Sequence, residues 1–248
     1  GVRWESCDSW VPRLAGTKAG SDTSWIECLI EAIVALQVPT ELAVQMIDDV
    51  TALGWDVNML NTEHNGYALL HSVCAAGFSN VRSVALIECL LRHGADPDII
   101  TGLNESGLTT RARPIHIAAL HNHTAALSAL QAGGADMAAL NRSGKTFLLT
   151  SVIGAASRDV HDLVVWAADN CDKQILLVEE EDGLNAADFL LSAGGPQDPS
   201  LVYMRQHAGV EPTGRPNRFH SGVPGMPGMP GMGLGGAGDK GDPGCPQS

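Results

Sequence analysis

His116, His121 and His123 are the densest gathering of imidazoles in the chain. On a helix, positions 116 and 123 fall on one face two turns apart, which would suit a pair of metal-ligating nitrogens. The acidic run 179–182 (Glu-Glu-Glu-Asp) offers carboxylates for a hard cation, but its place just before Gly183 reads better as a solvated hairpin tip. Ser143-Gly144-Lys145-Thr146 has the end of a phosphate-binding loop. That motif needs a glycine five residues before Gly144, and Ala139 stands there. Ser157, Asp159 and His161 supply the residue types of a serine triad, yet adjacency in sequence is not the geometry such sites require. None of these groups is expected to be catalytic, to hold a metal or to bind a cofactor.

The elements that carry these residues repeat. Ala68-Leu69-Leu70-His71 is echoed by Arg113-Pro114-Ile115-His116, by Thr146-Phe147-Leu148-Leu149 and by Asn185-Ala186-Ala187-Asp188. The openings start at 68, 113, 146 and 185, in steps of 45, 33 and 39. Two are followed by a closer, Gly94-Ala95-Asp96 and Gly134-Ala135-Asp136. His116 to Gly134 is 18 residues, and the same step from Leu149 reaches Ala167-Ala168-Asp169, a worn closer. Periods of this size signify stacked supersecondary units, not a catalytic domain. Pro114 suits a first helical turn, Thr146 and Asn185 are good N-caps, and Gly94 and Gly134 follow apolar helical runs where a left-handed C-terminal residue is wanted.

These residues resemble the ankyrin repeat, most closely over 113–137, and the resemblance extends over about residues 40–194. It implies an all-α fold, a helical solenoid of stacked helix-turn-helix repeats with short hairpin loops, flanked by irregular N- and C-terminal arms. His116 then falls on the structural histidine of the repeat. Asn122-His123 replaces Gly-His, with Asn122 in a left-handed backbone. Arg111 stands where the family has its turn glycine. His71 to Gly94 is 23 residues, so extra chain is expected around 78–83, lengthening the loop between the two helices. A second insertion, 99–110, reads as an extended hairpin tip.

Two helical patterns, 24–37 and 40–53, precede the clear copies, and Gly54-Trp55-Asp56-Val57-Asn58 is similar to the family's closer. The expected organisation is an N-terminal arm (1–21), a repeat domain (22–194, with repeats 22–62, 63–107, 108–140, 141–179 and a truncated 180–194), a linker (195–221) and a glycine-rich tail (222–248). Gly222, Gly225, Gly228 and Gly231 keep a period of three, and the frame resumes at Gly235 after a slip. The tract resembles collagen, but it is short and interrupted, so a flexible or extended tail is expected and not a self-standing trimer.

The chain carries a net charge of −13, which disfavours nucleic acid and anionic membrane surfaces. No apolar run reaches the ~18 residues of a membrane span. Cysteines at 7, 28, 74, 89, 171 and 245 make no C-x-x-C pair and read as reduced thiols of an intracellular protein. Its compartment is expected to be cytoplasmic, or organellar after removal of a targeting peptide.

In ankyrin-like stacks, partner contacts come from hairpin tips and the exposed end of the first helix. The resemblance therefore implies partner contacts at Glu63, His64 and Tyr67, at Leu120 and His121, at Arg142, Lys145 and Ile153, and at Glu180, Glu181 and Leu184. Tyr67 and His121 carry the largest expected share. The expected function is a non-catalytic interaction module for another protein. The alternative is a permanent accessory subunit of a large complex, strapped to its neighbours by both arms.

Overall fold

The computed structural model describes residues 24–61, 66–102, 111–154 and 160–215, and among them the fold is all-α, with no strand beyond an isolated Asn61–Tyr67 bridge. The arms 1–21 and 222–248, the tip residues 103–110 and the tail's glycine period lie outside the described residues.

Each opening phrase starts its helix by the same local device. Two residues before the N-cap the backbone turns left-handed, at Gly66, Arg111, Gly144 and Gly183, with φ of 67°, 48°, 68° and 73°. A backbone hydrogen bond then closes each tip: Asn61 N–H to the Tyr67 carbonyl, Thr101 to Ala112, Asn141 to Lys145 and Glu180 to Leu184, all 2.8–3.0 Å. Helices begin immediately after: α3 (Leu69–Ala75), α5 (Pro114–Leu120), α7 (Phe147–Gly154) and α10 (Ala186–Gly194).

Two earlier helices precede these, α1 (Ser24–Ile30, continued by a wider π turn over Glu31–Ala35) and α2 (Thr40–Ala52). The third residue of each phrase-opened helix sits in an equivalent place. His71 Nδ1 accepts the Ala68 N–H (3.1 Å), His116 Nδ1 the Arg113 N–H (3.3 Å) and the Asp188 carboxylate the Asn185 N–H (2.9 Å). In α7 the apolar Leu149 occupies that place, and Thr146 Oγ1 accepts its N–H instead (3.3 Å). These bonds satisfy donors that a helix start leaves unpaired.

A second helix follows each of the first: α4 (Asn80–Arg92), α6 (Thr124–Ala132) and α8 (His161–Asn170). The five extra residues between His71 and Gly94 were expected in the loop. The structure puts four of them in the helix, since α4 has 13 residues and α6 has 9, leaving connections of four residues (76–79) and three (121–123). Val84, Leu86, Ile87, Leu90 and Leu91 sustain a helical period with no breaker, so the chain extends the helix and leaves the turn short.

The closers form as expected at Gly54, Gly94 and Gly134, where φ is 91°, 86° and 89° and the next N–H returns to the carbonyl of Val50, Leu90 or Leu130. Asn122 is left-handed too, with φ 55°. A Cβ on Gly134 would meet nothing within 4 Å, so Gly134→Ala tests the backbone alone. The expected loss is about 1 kcal/mol, read from urea unfolding.

Ala167-Ala168-Asp169 is not a closer. It lies inside α8, which runs on to Asn170, and Asp172 then caps a short helix α9 (Lys173–Leu176). Nothing in Val164-Val165-Trp166-Ala167 stops a helix, and no glycine is present to turn it.

The last unit also differs from expectation. Residues 199–215 were assigned to a linker, yet α11 (Pro199–Tyr203) and a π turn (Met204–Ala208) pack on α8 and α10, and Leu201, Met204 and Val210 are fully buried. Asp198 caps α11 by accepting the N–H groups of Ser200 and Leu201, with Pro199 at the first helical position. Gly209, with φ 59°, precedes buried Val210 and exposed Glu211, and the Val210 N–H returns to the Met204 carbonyl at 3.2 Å, one residue farther back than in the closers. The final helix pair is therefore complete, and the described chain through Arg215 falls within one compact unit.

The helices pack in two rows. In one, α3 contacts α1 and α5, and α7 contacts α5 and α10; in the other, α4 lies between α2 and α6, and α8 between α6 and α11. Small buried residues (Ala118, Ala119, Ala186 and Ala187) thin the first row, while Ile47, Leu86, Ile87, Leu90, Leu127, Leu130 and Leu163 fill the space between rows. Each large aliphatic buried this way contributes about 1.5–3 kcal/mol.

Polar rungs tie successive closers. Asn58 Oδ1 accepts the Asp96 N–H (2.8 Å), and the Asp98 carboxylate accepts the Asp136 N–H (3.0 Å), both across 38 residues. Among the described residues no helix is long and apolar enough to cross a membrane.

Candidate functional site

The hairpin tips lie along one edge of the first row, because every tip closes one residue before an N-cap of that row. Glu63 and His64 are outside the described residues. Tyr67 is half-buried and stacks on His71 with ring centroids 5.4 Å apart, and burial pushes its phenol pKa up. Leu120 ends α5 half-buried, while His121 and Arg142 are exposed. Ile153 is partly buried against the core.

The structure brings two expected contact residues together: Lys145 Nζ lies 3.4 Å from a Glu180 carboxylate oxygen. The Glu180 side chain is only 6% exposed, so this acid of the 179–182 run is a packed member of the tip and not a solvated one. Glu181 remains exposed, and Glu179 pairs with Arg215 at 3.4 Å. Leu184, expected on the surface, is 1% exposed. Its carbonyl closes the tip and its side chain turns into the core, as at Ala112 of the second opening, so it drops from the contact set.

The candidate chemical groups have structural roles of their own. His116 is buried, with Nε2 3.2 Å from the Lys145 carbonyl, and burial lowers its pKa to about 4. His123 Nδ1 meets the Cys74 carbonyl at 3.2 Å. In the 143–146 loop, Asn141 Oδ1 accepts the N–H groups of Ser143 and Lys145, making a side-chain-closed hairpin. Ser157 and Asp159 are outside the described residues, and His161 Nδ1 faces Ser200 Oγ at 3.2 Å.

A different constellation emerges between α2 and α4. Cys89 and His93 are four residues apart at the end of α4 and so share a face. Asp48 faces them from α2. One ligand atom from each of the three lies within 4.8 Å of the others. His93 Nε2 is 2.5 Å from Asp48 Oδ1, and Cys89 Sγ is 3.8 Å from the same oxygen. Arg92 reaches Asp48 Oδ1 at 3.2 Å and Cys89 Sγ at 3.4 Å.

Burial raises the Cys89 thiol to about 11, and the Asp48 carboxylate pushes the same way. Asp48 is held below the usual carboxylate range, first by its hydrogen bond with His93. Thr51 Oγ1 lies 3.2 Å from His93 Nδ1 and donates its own proton to the Ile47 carbonyl at 2.7 Å. Sequence reasoning read Cys89 only as a buried thiol; the spacing Cys-x-x-x-His was the available signal, and Asp48 had none.

Cys74, Cys89 and Cys171 are free thiols. Compared with protein-family models and with curated proteins, the chain matches none.

Proposed function

We propose that this chain is an ankyrin-type repeat protein, a solenoid of five helix pairs that performs no catalysis and binds a partner protein through its tips and concave face. The observation that carries the reading is the fourfold recurrence of one device: a left-handed residue, a closed tip, an N-cap and a helix whose third residue sits in the same place each time. The polar rungs at a constant step of 38 support stacking of like on like. Free thiols at 74, 89 and 171 accord with a reducing, intracellular setting.

The contact set is Tyr67, Leu120, His121, Arg142, Ile153 and Glu181, with Lys145 and Glu180 bracing adjacent tips. Its mixed charge suits a protein partner of no strong charge, despite the acidity of the whole chain. Combining His121→Ala, Arg142→Glu and Glu181→Lys is expected to weaken partner capture by at least about 30-fold, equivalent to one hot spot of about 2 kcal/mol, with unchanged circular dichroism and melting. Glu88→Lys, exposed on the second row, is the control. Full binding by the triple variant, with loss in Glu88→Lys, would move the interface to the other face.

A further inference from the structure

We propose that Asp48, Cys89 and His93 form a three-ligand site for a divalent transition-metal ion of the zinc type, clamping the first helix pair to the second. This inference stands apart from partner binding and needs only the packing of α2 against α4.

Geometry supplies the first argument. Two ligands four residues apart on the last turns of α4, with a third from the facing helix, place one sulfur, one nitrogen and one oxygen atom within 4.8 Å of each other. In a tetrahedral site with metal–ligand distances of ~2.0–2.3 Å, ligand atoms stand about 3.3–3.7 Å apart. The Sγ–Oδ1 separation of 3.8 Å is close to this span, and the Nε2–Oδ1 separation of 2.5 Å opens by a small rotation of an imidazole that is 26% exposed.

Hydrogen-bond polarity supplies the second. With its hydroxyl proton given to the Ile47 carbonyl (2.7 Å) or the Asp48 carbonyl (3.0 Å), Thr51 Oγ1 is left as an acceptor for the His93 tautomer that is protonated on Nδ1. That aims Nε2 at the Asp48 carboxylate. At 2.5 Å only a proton fits between them, so a bound ion takes the place of that proton once the imidazole has rotated outward. An Nδ1–H held by a neighbouring oxygen is also the usual support of a metal-bound imidazole.

Arg92 marks the same place as one that attracts a cation and is also the group a metal must displace. Its guanidinium nitrogen lies 3.2 Å from Asp48 Oδ1 and 3.4 Å from Cys89 Sγ, and with its side chain 61% exposed it can swing out to solvent as the ion enters. Mixed thiolate, imidazole and carboxylate donors favour zinc-type ions over magnesium or calcium. Three protein ligands leave a fourth position for water. Binding releases the Cys89 thiol proton, and also any proton held between Nε2 and Oδ1, to solvent.

Cobalt(II) is the probe, titrated into the full chain. One equivalent is expected to give tetrahedral visible bands and a near-ultraviolet thiolate-to-cobalt charge-transfer band, both bleached by zinc. Zinc is expected to raise the melting temperature. Cys89→Ser should remove the charge-transfer band and the zinc-induced shift. Thr51→Val should weaken binding by about 10–100-fold, and Asp48→Asn and His93→Gln by more. Cys171→Ser should change nothing, and circular dichroism checks that each variant is folded. A charge-transfer band that persists in Cys89→Ser, or an affinity unchanged in Asp48→Asn and His93→Gln, overturns the site, as does the absence of one-to-one binding.

Discussion

Lowering the pH from 6.5 to 4 should remove about 6 kcal/mol of folding stability, through two histidines alone. His71 and His116 are both wholly buried, each with Nδ1 accepting the N–H of its helix's N-cap. Burial lowers the pKa of each to about 4. The carbonyls of Ala112 and Ile99 face His71 and pull the other way; those of Lys145 and Ala139 do the same at His116, where the Arg113 charge lowers it further.

In the unfolded chain the same imidazoles titrate near 6.5. Between the two values the unfolded state binds more protons, so stability is complete above about pH 6.5 and drains away as pH falls toward 4. The gap corresponds to about 3 kcal/mol per histidine. Asp48, whose carboxyl is held below its ordinary value of 3.8, loses its contribution only under pH 4, outside this window.

Against a total of about 5–15 kcal/mol for a domain, a loss of that size is decisive. Urea unfolding at pH 7, 6, 5 and 4.5 measures it. His116→Gln keeps an acceptor at the third helical position, as in the common capping box, and cannot titrate. It should halve the slope, and adding His71→Gln should flatten it. Equal stability at pH 7 and 5 in the wild type would mean that neither ring is held neutral by burial.

Leu201→Ala and Met204→Ala should each cost about 2–5 kcal/mol, the usual range for emptying a fully buried aliphatic site. The loss should also be local. α11 and its π turn pack on α8 and α10, so hydrogen exchange should quicken there first, while α2 to α4, on the far side of two intervening helix pairs, keep their protection. A cost under about 1 kcal/mol for Leu201→Ala would return 199–208 to the status of a linker.

The parts of this fold legible in the sequence are those governed by contacts of three to five residues. An N-cap, a back-bond from the third helical position and a left-handed closer leave residue types at fixed offsets. For that reason Thr146, Asn185, Pro114, Gly94 and Gly134 could be placed, Arg111 and Asn122 could be assigned to glycine positions, and both helices before residue 54 could be located. The 199–208 segment reads as linker in the sequence, although Asp198-Pro199 ahead of Leu201 and Met204 marks a helix start. Its short helix and scattered prolines resembled a linker because a five-residue helix has no period of its own.

What tertiary packing alone decided is which face of each helix meets which neighbour. Whether Leu184 and Glu180 at a tip point outward depends on α7 and Lys145, some 35 residues away, and not on the acidic run around them. Asp48 reaches Cys89 and His93 across more than 40 residues, and the cluster exists because α2 and α4 share a row with their end turns level. Short-range chemistry writes its own signature into the chain; the juxtaposition of distant side chains is set by the register of stacked helices, and no local pattern records that register.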